Sequence, residues 1–531
     1  MLLDRLLTVA PTGLRAVLGR PSKEGEPAQP ASSSNAYLRG NFAPLREETH
    51  TEALEVVAGE VPRGLAGALF RIGPAPRFEP IDALRYHWFD GDGMVDAFHF
   101  DGGRVSHRRR WVRTDKFRHE EEAGRALFGG MRDLATSTPP GGWIALGFSP
   151  MELLELHARS TFGVPLRDDQ IHRVMRSQDR SNTNVLQMAG RLLSLEESSA
   201  AYELDPRTLE TRGRFTFGGV LDVAPMVAHP KVDPKTGVIY TFGYGSVPPY
   251  VVYYVFGPDG ALRLRRPIDT TYPSMMHDFS VTETRAVFYH LPATLWMDNM
   301  KSGEPVRWEP SRGARIGVTA RDDADAPVRW IDIPPCYVFH PMNAYDDGET
   351  LVLDIARYPR LPLFDLGGEA PNPRIQDNPE ARLTRLRVDV QRGTVTEEAL
   401  DEDAMEFPVV DPRHAMRPYR YGWAVSRRGA CADERGMFNA ITRYDLQERR
   451  VQRRLFGRAS FPSEPIVVPR SATSAEGEGW LLTVVYHADE DRSELVVLDA
   501  LDVEGAPVAV LRCPHRIPYG FHGSFVEATA L

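Results

Sequence analysis

From Tyr37 to its C-terminus this chain is written in short runs of β-branched and aromatic residues, each cut off by glycine, proline or an Asp-Gly pair. Gly237-Val-Ile-Tyr-Thr-Phe-Gly-Tyr, Tyr250-Val-Val-Tyr-Tyr-Val-Phe, Trp480-Leu-Leu-Thr-Val-Val-Tyr and Leu495-Val-Val-Leu-Asp are of this kind. Such runs have the length and composition of strands rather than helices. Pro258-Asp259-Gly260 and Asp101-Gly102-Gly103 read as the hairpin turns between them. Many short strands with regular turn signals fold as a sandwich, a barrel or a propeller. A length of 531 residues would otherwise suggest several domains, but closed all-β architectures run long as one unit. The exception is a stretch from about 120 to 175. There Glu152-Leu-Leu-Glu-Leu-His-Ala-Arg and Asp168-Asp-Gln-Ile-His-Arg-Val-Met have helical character, with Asp168 placed as a helix cap. This stretch is expected to lie as a helical and loop cap over one end of the β scaffold and to shape a binding mouth.

The segment ahead of Tyr37 reads differently. Residues 1–20 place Leu2, Leu3, Leu6, Leu7 and Ala10 at helical spacing, then Leu14, Val17 and Leu18 beside Arg15 and Arg20. The pattern lacks the long apolar core of a signal peptide. It fits an amphipathic helix resting on a membrane surface, and equally a short helix docked on the domain. Residues 21–36 form a polar linker rich in Pro, Ser and Ala. The expected organisation is therefore a helix and linker over 1–36 and a single domain over 37–531.

Composition removes several function classes. The net charge is −10 and no basic block occurs, so no nucleic-acid partner is expected. No run of about 18 apolar residues exists to span a bilayer. Three scattered cysteines, Cys336, Cys431 and Cys513, make neither a disulfide framework nor a thiolate metal site, and they fit a reducing cytoplasm. Peripheral attachment to a membrane through 1–20 and the cap is compatible with that location.

Four of the 15 histidines stand in apolar or small surroundings that no helix or strand pattern requires. They are His229 in Val-Ala-His-Pro-Lys, His277 in Met-Met-His-Asp-Phe, His340 in Val-Phe-His-Pro-Met-Asn and His522 in Gly-Phe-His-Gly-Ser-Phe. Neutral imidazoles meeting at one point make a site for a borderline metal such as iron, copper, zinc or nickel. Their separations of roughly 48, roughly 63 and about three times 61 residues are compatible with one ligand per blade of a propeller, whose repeats run about 40–50 residues before insertions. His87, His290 and His515 read as structural or solvated. Asp90-Gly-Asp-Gly lacks the ligand pattern of a calcium loop and reads as a hairpin turn. Arg108-Arg-Arg reads as a solvated face, or as a contact for acidic lipid.

Taken together, Asn41-Phe-Ala-Pro, Tyr86-His-Trp-Phe-Asp-Gly-Asp-Gly-Met, Thr183-Asn-Val, Ala228-His-Pro-Lys-Val-Asp-Pro, Met276-His-Asp-Phe, Phe339-His-Pro-Met-Asn-Ala-Tyr, Phe461-Pro-Ser-Glu-Pro and Gly520-Phe-His-Gly-Ser-Phe resemble the carotenoid cleavage oxygenase family. The pieces occur in the family's order from about Tyr37 to Val526. The family also includes the lignostilbene dioxygenases and the retinoid isomerohydrolase. The resemblance implies an all-β, seven-bladed β-propeller with a helical and loop cap over one face. It implies a non-haem ferrous iron, Fe(2+), held by His229, His277, His340 and His522 with no carboxylate ligand. Glu197, Glu406 and Glu464 then match glutamates that hold the far ring nitrogens of ligand histidines. Glu197 is preferred over its neighbour Glu196 by alignment on Leu-x-Leu-x-Glu. Thr183 matches a position near the open coordination sites.

Such carboxylates would fix the tautomer, aim the ring and offset the ion's charge in a low-dielectric core. The chemistry implied is metal-centred, with no protein nucleophile or general base: cleavage of a conjugated C=C bond of a carotenoid or apocarotenoid by O2 into two carbonyl products. Stilbene-cleaving relatives carry a lysine where this chain has Glu196, which argues for a lipophilic polyene over a stilbene. A phenylpropanoid- or stilbene-cleaving enzyme on the same scaffold and a silent binding propeller are the alternatives. The chain departs from the family at Arg71-Ile-Gly-Pro-Ala-Pro, where Arg-Asn-Gly-Pro-Asn-Pro is usual, and at Asp96, where histidine is common.

Overall fold

The computed structural model describes residues 35–130, 149, 151–152, 155, 179–197, 199–221, 226–296, 305–362, 379–429 and 437–531. Residues 1–34 lie outside this set, as do Cys431, Asp168 and most of the expected cap. At the start of the described chain, Asn35 donates its side-chain amide to the carbonyls of Ala83 and Tyr86 at 2.8 and 2.6 Å, which pins Tyr37 to the domain.

Seven antiparallel sheets follow one another as the blades of a propeller. Blade 2 runs Asn184–Met188, Arg191–Leu195, Ala201–Leu204 and Thr211–Phe215 from the axis outward. Blade 3 starts at Lys231–Val232, blade 4 at Phe279–Val281, blade 5 at Tyr337–Asp347 and blade 6 at Ala404–Val410. Blades 1 and 7 are shared between the two ends of the chain. In blade 1 the innermost strand is the C-terminal Gly523–Glu527, paired with Gly67–Pro74 so that Arg71 faces Gly523 and Gly67 faces Glu527. In blade 7 the outermost strand is the N-terminal Glu55–Gly59, paired with Ala509–Arg512. Hydrogen-bond ladders between the two ends of the chain thus clasp the ring twice.

The core is divided into wedges between neighbouring blades. One wedge joins Leu69 and Phe98 of blade 1 to Leu482 and Leu495 of blade 7; another joins Phe242 and Tyr253 of blade 3 to Phe279 and Phe288 of blade 4. A middle strand is therefore covered on both faces. Thr350–Tyr358 of blade 5 is buried at seven of its nine positions, with Asp354 at its centre paired to Arg385. Outer strands lose that cover, and Thr394–Ala399 has no fully buried residue. Both hairpin turns expected from sequence are present. Gly102 and Gly103 adopt φ of 58° and 88° between the strands Gly93–Asp101 and Arg104–Trp111, and Gly260 adopts 82° before Leu262–Ile268.

Two sequence expectations are corrected. Asp90-Gly-Asp-Gly is not a hairpin turn. A 3₁₀ turn, Trp88–Asp90, ends there, and both carboxylates are buried against cations: Asp92 lies 2.8 Å from Lys116 Nζ and Asp90 lies 3.4 Å from Arg180. Arg108-Arg-Arg is not a uniformly solvated face. It lies in Arg104–Trp111, whose period-2 alternation turns Arg109 inward, where it is 1% exposed and bonds Asp96 at 2.8 Å. Asp96 also accepts from His107 at 2.8 Å. The aspartate at this position is thus the acceptor of a buried cluster.

Prolines interrupt the inner strands where the backbone must turn toward the axis. Pro230 follows His229, Pro341 follows His340, Pro408 lies two beyond Glu406 and Pro465 follows Glu464. Lacking an N–H, proline cannot extend the ladder. The pairing register jumps between Val338 and Pro341 and again between Glu406 and Val409. Such bulges re-aim the side chains at the break. At the C-terminal clasp the same close approach is made by glycine: a Cβ on Gly523 would clash with the Phe70 carbonyl oxygen and crowd the Arg71 side chain. Gly523→Ala is expected to cost about 1–3 kcal/mol by overpacking. Urea denaturation measures it; an unchanged midpoint would contradict the tight clasp.

Candidate metal centre

Each blade contributes one residue of the notable sequence set at or beside its inner strand. Around the ring these are His522 (blade 1), Thr183 (blade 2), His229 (blade 3), His277 (blade 4), His340 (blade 5), Glu406 (blade 6) and Glu464 (blade 7). The four histidines converge. One ligand-capable atom from each lies within 4.8 Å of all the others. His229 Nε2 is 3.1 Å from His277 Nε2, which is 3.3 Å from His340 Nε2. His522 packs edge-on against His229 and His340 at centroid distances of 4.5 and 4.8 Å.

The opposite ring nitrogens turn outward to carboxylates. His340 Nδ1 meets Glu406 Oε2 at 2.5 Å and His522 Nδ1 meets Glu464 Oε1 at 2.8 Å. His277 Nδ1 is paired with Glu197. Each carboxylate uses its second oxygen as well, or shares one. Tyr244 donates its hydroxyl to Glu197, Tyr358 donates to Glu406 at 2.9 Å, and the Gly523 amide donates to Glu464 at 2.8 Å. The Phe407 amide also donates to Glu406, at 2.6 Å. His229 lacks a glutamate; its nearest carboxylate is Asp278, 3.8 Å from Nδ1. Thr183 opens the inner strand of blade 2, and its carbonyl accepts the His522 amide at 3.3 Å.

This arrangement fixes the tautomers. With Nδ1–H donated to a carboxylate, Nε2 of His277, His340 and His522 carries the lone pair; His229 has no carboxylate within hydrogen-bond distance. Nitrogens at about 2.1 Å from a common ion stand about 3.0–3.4 Å apart for angles between a right angle and the tetrahedral one, which matches the His229–His277 and His277–His340 separations. The donor set therefore fits a metal ion. Burial, reinforced by the neighbouring imidazoles, holds His229 and His340 well below the usual imidazole range and keeps them neutral. Burial pulls His277 down too, but the surrounding carboxylates, Glu197 foremost, together outweigh it and the net shift is upward. Burial pushes Glu406 up to about 7, against its hydrogen bonds from Phe407 and Tyr358.

Aromatic rings pack around and beside these residues. Phe407, held at φ 50° in its bulge, stacks on His340 at 5.4 Å. Phe521, beside His522, lies 4.3 Å from Trp88 and 5.3 Å from Phe89. Sequence reasoning named the four histidines, the three glutamates and Thr183. It missed Tyr244 and Tyr358, which end strands in neighbouring blades and carry no local signal. It passed over Lys231 and Asp278, although both stand inside the histidine motifs. His87 and His290 are buried and bonded locally, His87 Nδ1 to the Phe89 amide and His290 Nε2 to the Tyr272 carbonyl.

Fold and site together define the class: a seven-bladed propeller with a four-histidine cluster on its axis, suited to a metal ion. The family described as retinal pigment epithelial membrane protein matches residues 42–527, and the chain belongs to that family, the carotenoid oxygenases. It is 34% identical over 508 residues to isoeugenol monooxygenase of Pseudomonas nitroreducens, covering 93% of this chain and 98% of that one. It is 32% identical over 522 residues to apocarotenoid-15,15'-oxygenase of Synechocystis, covering 94% and 98%. Among solved structures, lignostilbene dioxygenase of Pseudomonas brassicacearum superposes with a TM-score of 0.80 at 29% identity, covering 93% and 98%. These relatives are oxygenases. Among the described residues no helix is long and apolar enough to cross a membrane.

The raised His277 sets a pH dependence. A metal ion must displace any proton on a ligand nitrogen, so affinity falls as pH drops through this group. Cobalt(II) affinity is expected to be flat at alkaline pH and to fall by up to about tenfold per unit once His277 takes up a proton. Calorimetric titrations across pH check this; an affinity unchanged between pH 8 and 6 would contradict it.

Proposed function

We propose that this chain is a non-haem iron(II) dioxygenase that cleaves one conjugated C=C bond of a carotenoid or apocarotenoid with O2 to give two carbonyl products. The observation that carries the reading is the convergence of four imidazoles with glutamates behind three of the rings. His229, His277, His340 and His522 would hold the ion. When bound, ferrous iron supplies the electrons that let dioxygen react with an alkene. Glu197, Glu406 and Glu464 keep each Nδ1 protonated and each ring aimed. Four neutral ligands contribute no charge, so these buried glutamates offset the ion. Thr183 stands on the blade 2 side of the axis, where no histidine closes the set.

The surroundings favour an apolar, conjugated substrate. Phe407 and Phe339 pack their rings against the cluster histidines. Glu196, at the position of the lysine in stilbene-cleaving relatives, accepts from the Arg180 amide and the Ser199 hydroxyl, both at 3.1 Å. A carboxylate there gives no attraction to a phenolate. A second reading, cleavage of a phenylpropanoid alkene, is supported by the 34% identity to isoeugenol monooxygenase. Regiochemistry in either case follows from which double bond the cavity places at the metal.

Iron-loaded protein incubated separately with an apocarotenal, a hydroxystilbene and isoeugenol decides between them. Two carbonyl products from the apocarotenal are expected. Cleavage of phenolic alkenes alone would move the assignment to the second reading. Protein that binds no iron on reconstitution would leave only a binding propeller. His340→Ala is expected to lose iron and keep the fold by circular dichroism; full iron occupancy would contradict the ligand assignment. Peripheral membrane contact through residues 1–20 and the 120–175 cap, in a cytoplasmic protein, belongs to the same proposal. Deleting Met1–Arg20 is expected to reduce liposome binding, and unchanged binding would dismiss that anchor.

A further inference from the structure

In blade 6 the inner strand Ala404–Val410 and its neighbour Tyr421–Arg427 are joined by residues 411–420, longer than the about two to five residues of an ordinary hairpin loop. This connection runs as a strap across the axis. Near its start Arg413 donates to the carbonyls of Ser471 and Ser474 in blade 7 at 3.0 and 2.9 Å. Further on, Arg417 reaches Asp233 of blade 3 at 2.9 Å and Glu283 of blade 4 at 2.8 Å. Met416 joins the buried apolar wedge between those two blades. Asp233 and Glu283 follow the histidines of their blades by four and six residues. At about 3.3 Å per residue, the strap crosses on the order of 10–20 Å beyond the imidazoles, at the other end of the inner strands.

Asn343 of blade 5 holds the middle of the strap, and it is 8% exposed. Its Nδ2 donates to the carbonyls of His414 and Arg417 at 3.0 and 3.1 Å, and its Oδ1 accepts from the Met416 amide at 2.9 Å. Only one orientation of the side-chain amide satisfies all three bonds, and a carboxylate would set oxygen against two carbonyls. Met416 stands at φ 67°, a left-handed conformation that costs a side-chain-bearing residue energy and persists where its surroundings fix it.

Asn343 also ends the irregular stretch that carries His340. The register against Thr350–Tyr358 jumps between Val338 and Pro341 and again between Pro341 and Asn343, and pairing resumes with Asn343 opposite Asp354. Within such a stretch the ladder does not set how far a side chain projects. Glu406, the carboxylate behind His340, lies on the very strand that continues into the strap. The bonds from Asn343 therefore tie the strand of the imidazole to the strand of its carboxylate, and Arg417 ties both to blades 3 and 4.

We propose that Asn343 is a positioning residue for the metal centre: by latching the strap it fixes the His340 strand against the Glu406 strand and so sets the reach of the His340 ring. This rests on the metal reading above. Orienting groups outside the ligand set act on affinity and on ligand geometry, and a latch one step further out acts in the same direction.

The experiment compares full-length wild type, Asn343→Ala, Arg417→Met and Arg453→Met, each loaded with cobalt(II). Arg453 pairs with Asp401 and Asp403 in the outer part of the same blade, so its variant loses stability without touching the strap. Asn343→Ala is expected to bind cobalt about tenfold more weakly and to change the visible ligand-field spectrum of the ion, while Arg453→Met keeps both at wild type. Wild-type affinity and spectrum in folded Asn343→Ala would overturn the inference, and so would the same changes in Arg453→Met. If Asn343→Ala does not fold, Arg417→Met, which frees the far end of the strap, decides by the same criterion. Wild-type protein that takes up no cobalt would sink the metal reading and this inference with it.

Discussion

Lone pairs on neighbouring imidazoles repel one another. Here His229, His277 and His340 bring Nε2 atoms to 3.1 and 3.3 Å, and three of the four rings are fixed from behind by glutamates that force the lone pairs inward. Only a cation among them turns this arrangement from a cost into an attraction. The rest of the molecule can be understood as what is needed to hold that unfavourable geometry in place. A ring of seven blades does so because every inner strand points at one axis, and because two ladders at the chain ends prevent the ring from opening.

The same constraint explains the local irregularities. Regular antiparallel pairing alternates side chains between the two faces of a blade and would send none along the axis. The prolines after His229, His340 and Glu464, the bulges beside His340 and Glu406, and the positive φ of Phe407 all break that regularity at the residues that must face inward. Backbone strain at such positions is sustained by the surrounding packing. Behind the imidazoles the glutamates recruit tyrosines from adjoining strands, so the orientation of a ring is set by at least two blades at once.

Much of the site was legible in the sequence because its residues stand in short, unlike contexts. His-Pro-Lys, His-Asp-Phe, His-Pro-Met and His-Gly-Ser mark breaks in strands as well as ligands. Of the two neighbouring glutamates, Glu197 meets His277, and Glu196 turns to Arg180 and Ser199. What sequence did not reveal depends on partners far along the chain. Asp90, Asp92 and Arg109 were read as turn and surface residues because their counter-ions Arg180, Lys116 and Asp96 come from other elements. The blade count was not readable from periodicity. Inner strands of two or three residues, such as Lys231–Val232 and Phe279–Val281, leave no repeat, and insertions make the intervals uneven. Only the family resemblance supplied the number seven.

The most direct test of the central claim is X-ray absorption at the iron edge of reconstituted protein. Four imidazole nitrogens at about 2.1 Å, with the outer-shell scattering of histidine rings and no carboxylate oxygen bound through Glu197, Glu406 or Glu464, is the predicted result. A spectrum with two histidines or fewer, or one that requires a protein carboxylate on the metal, would contradict it.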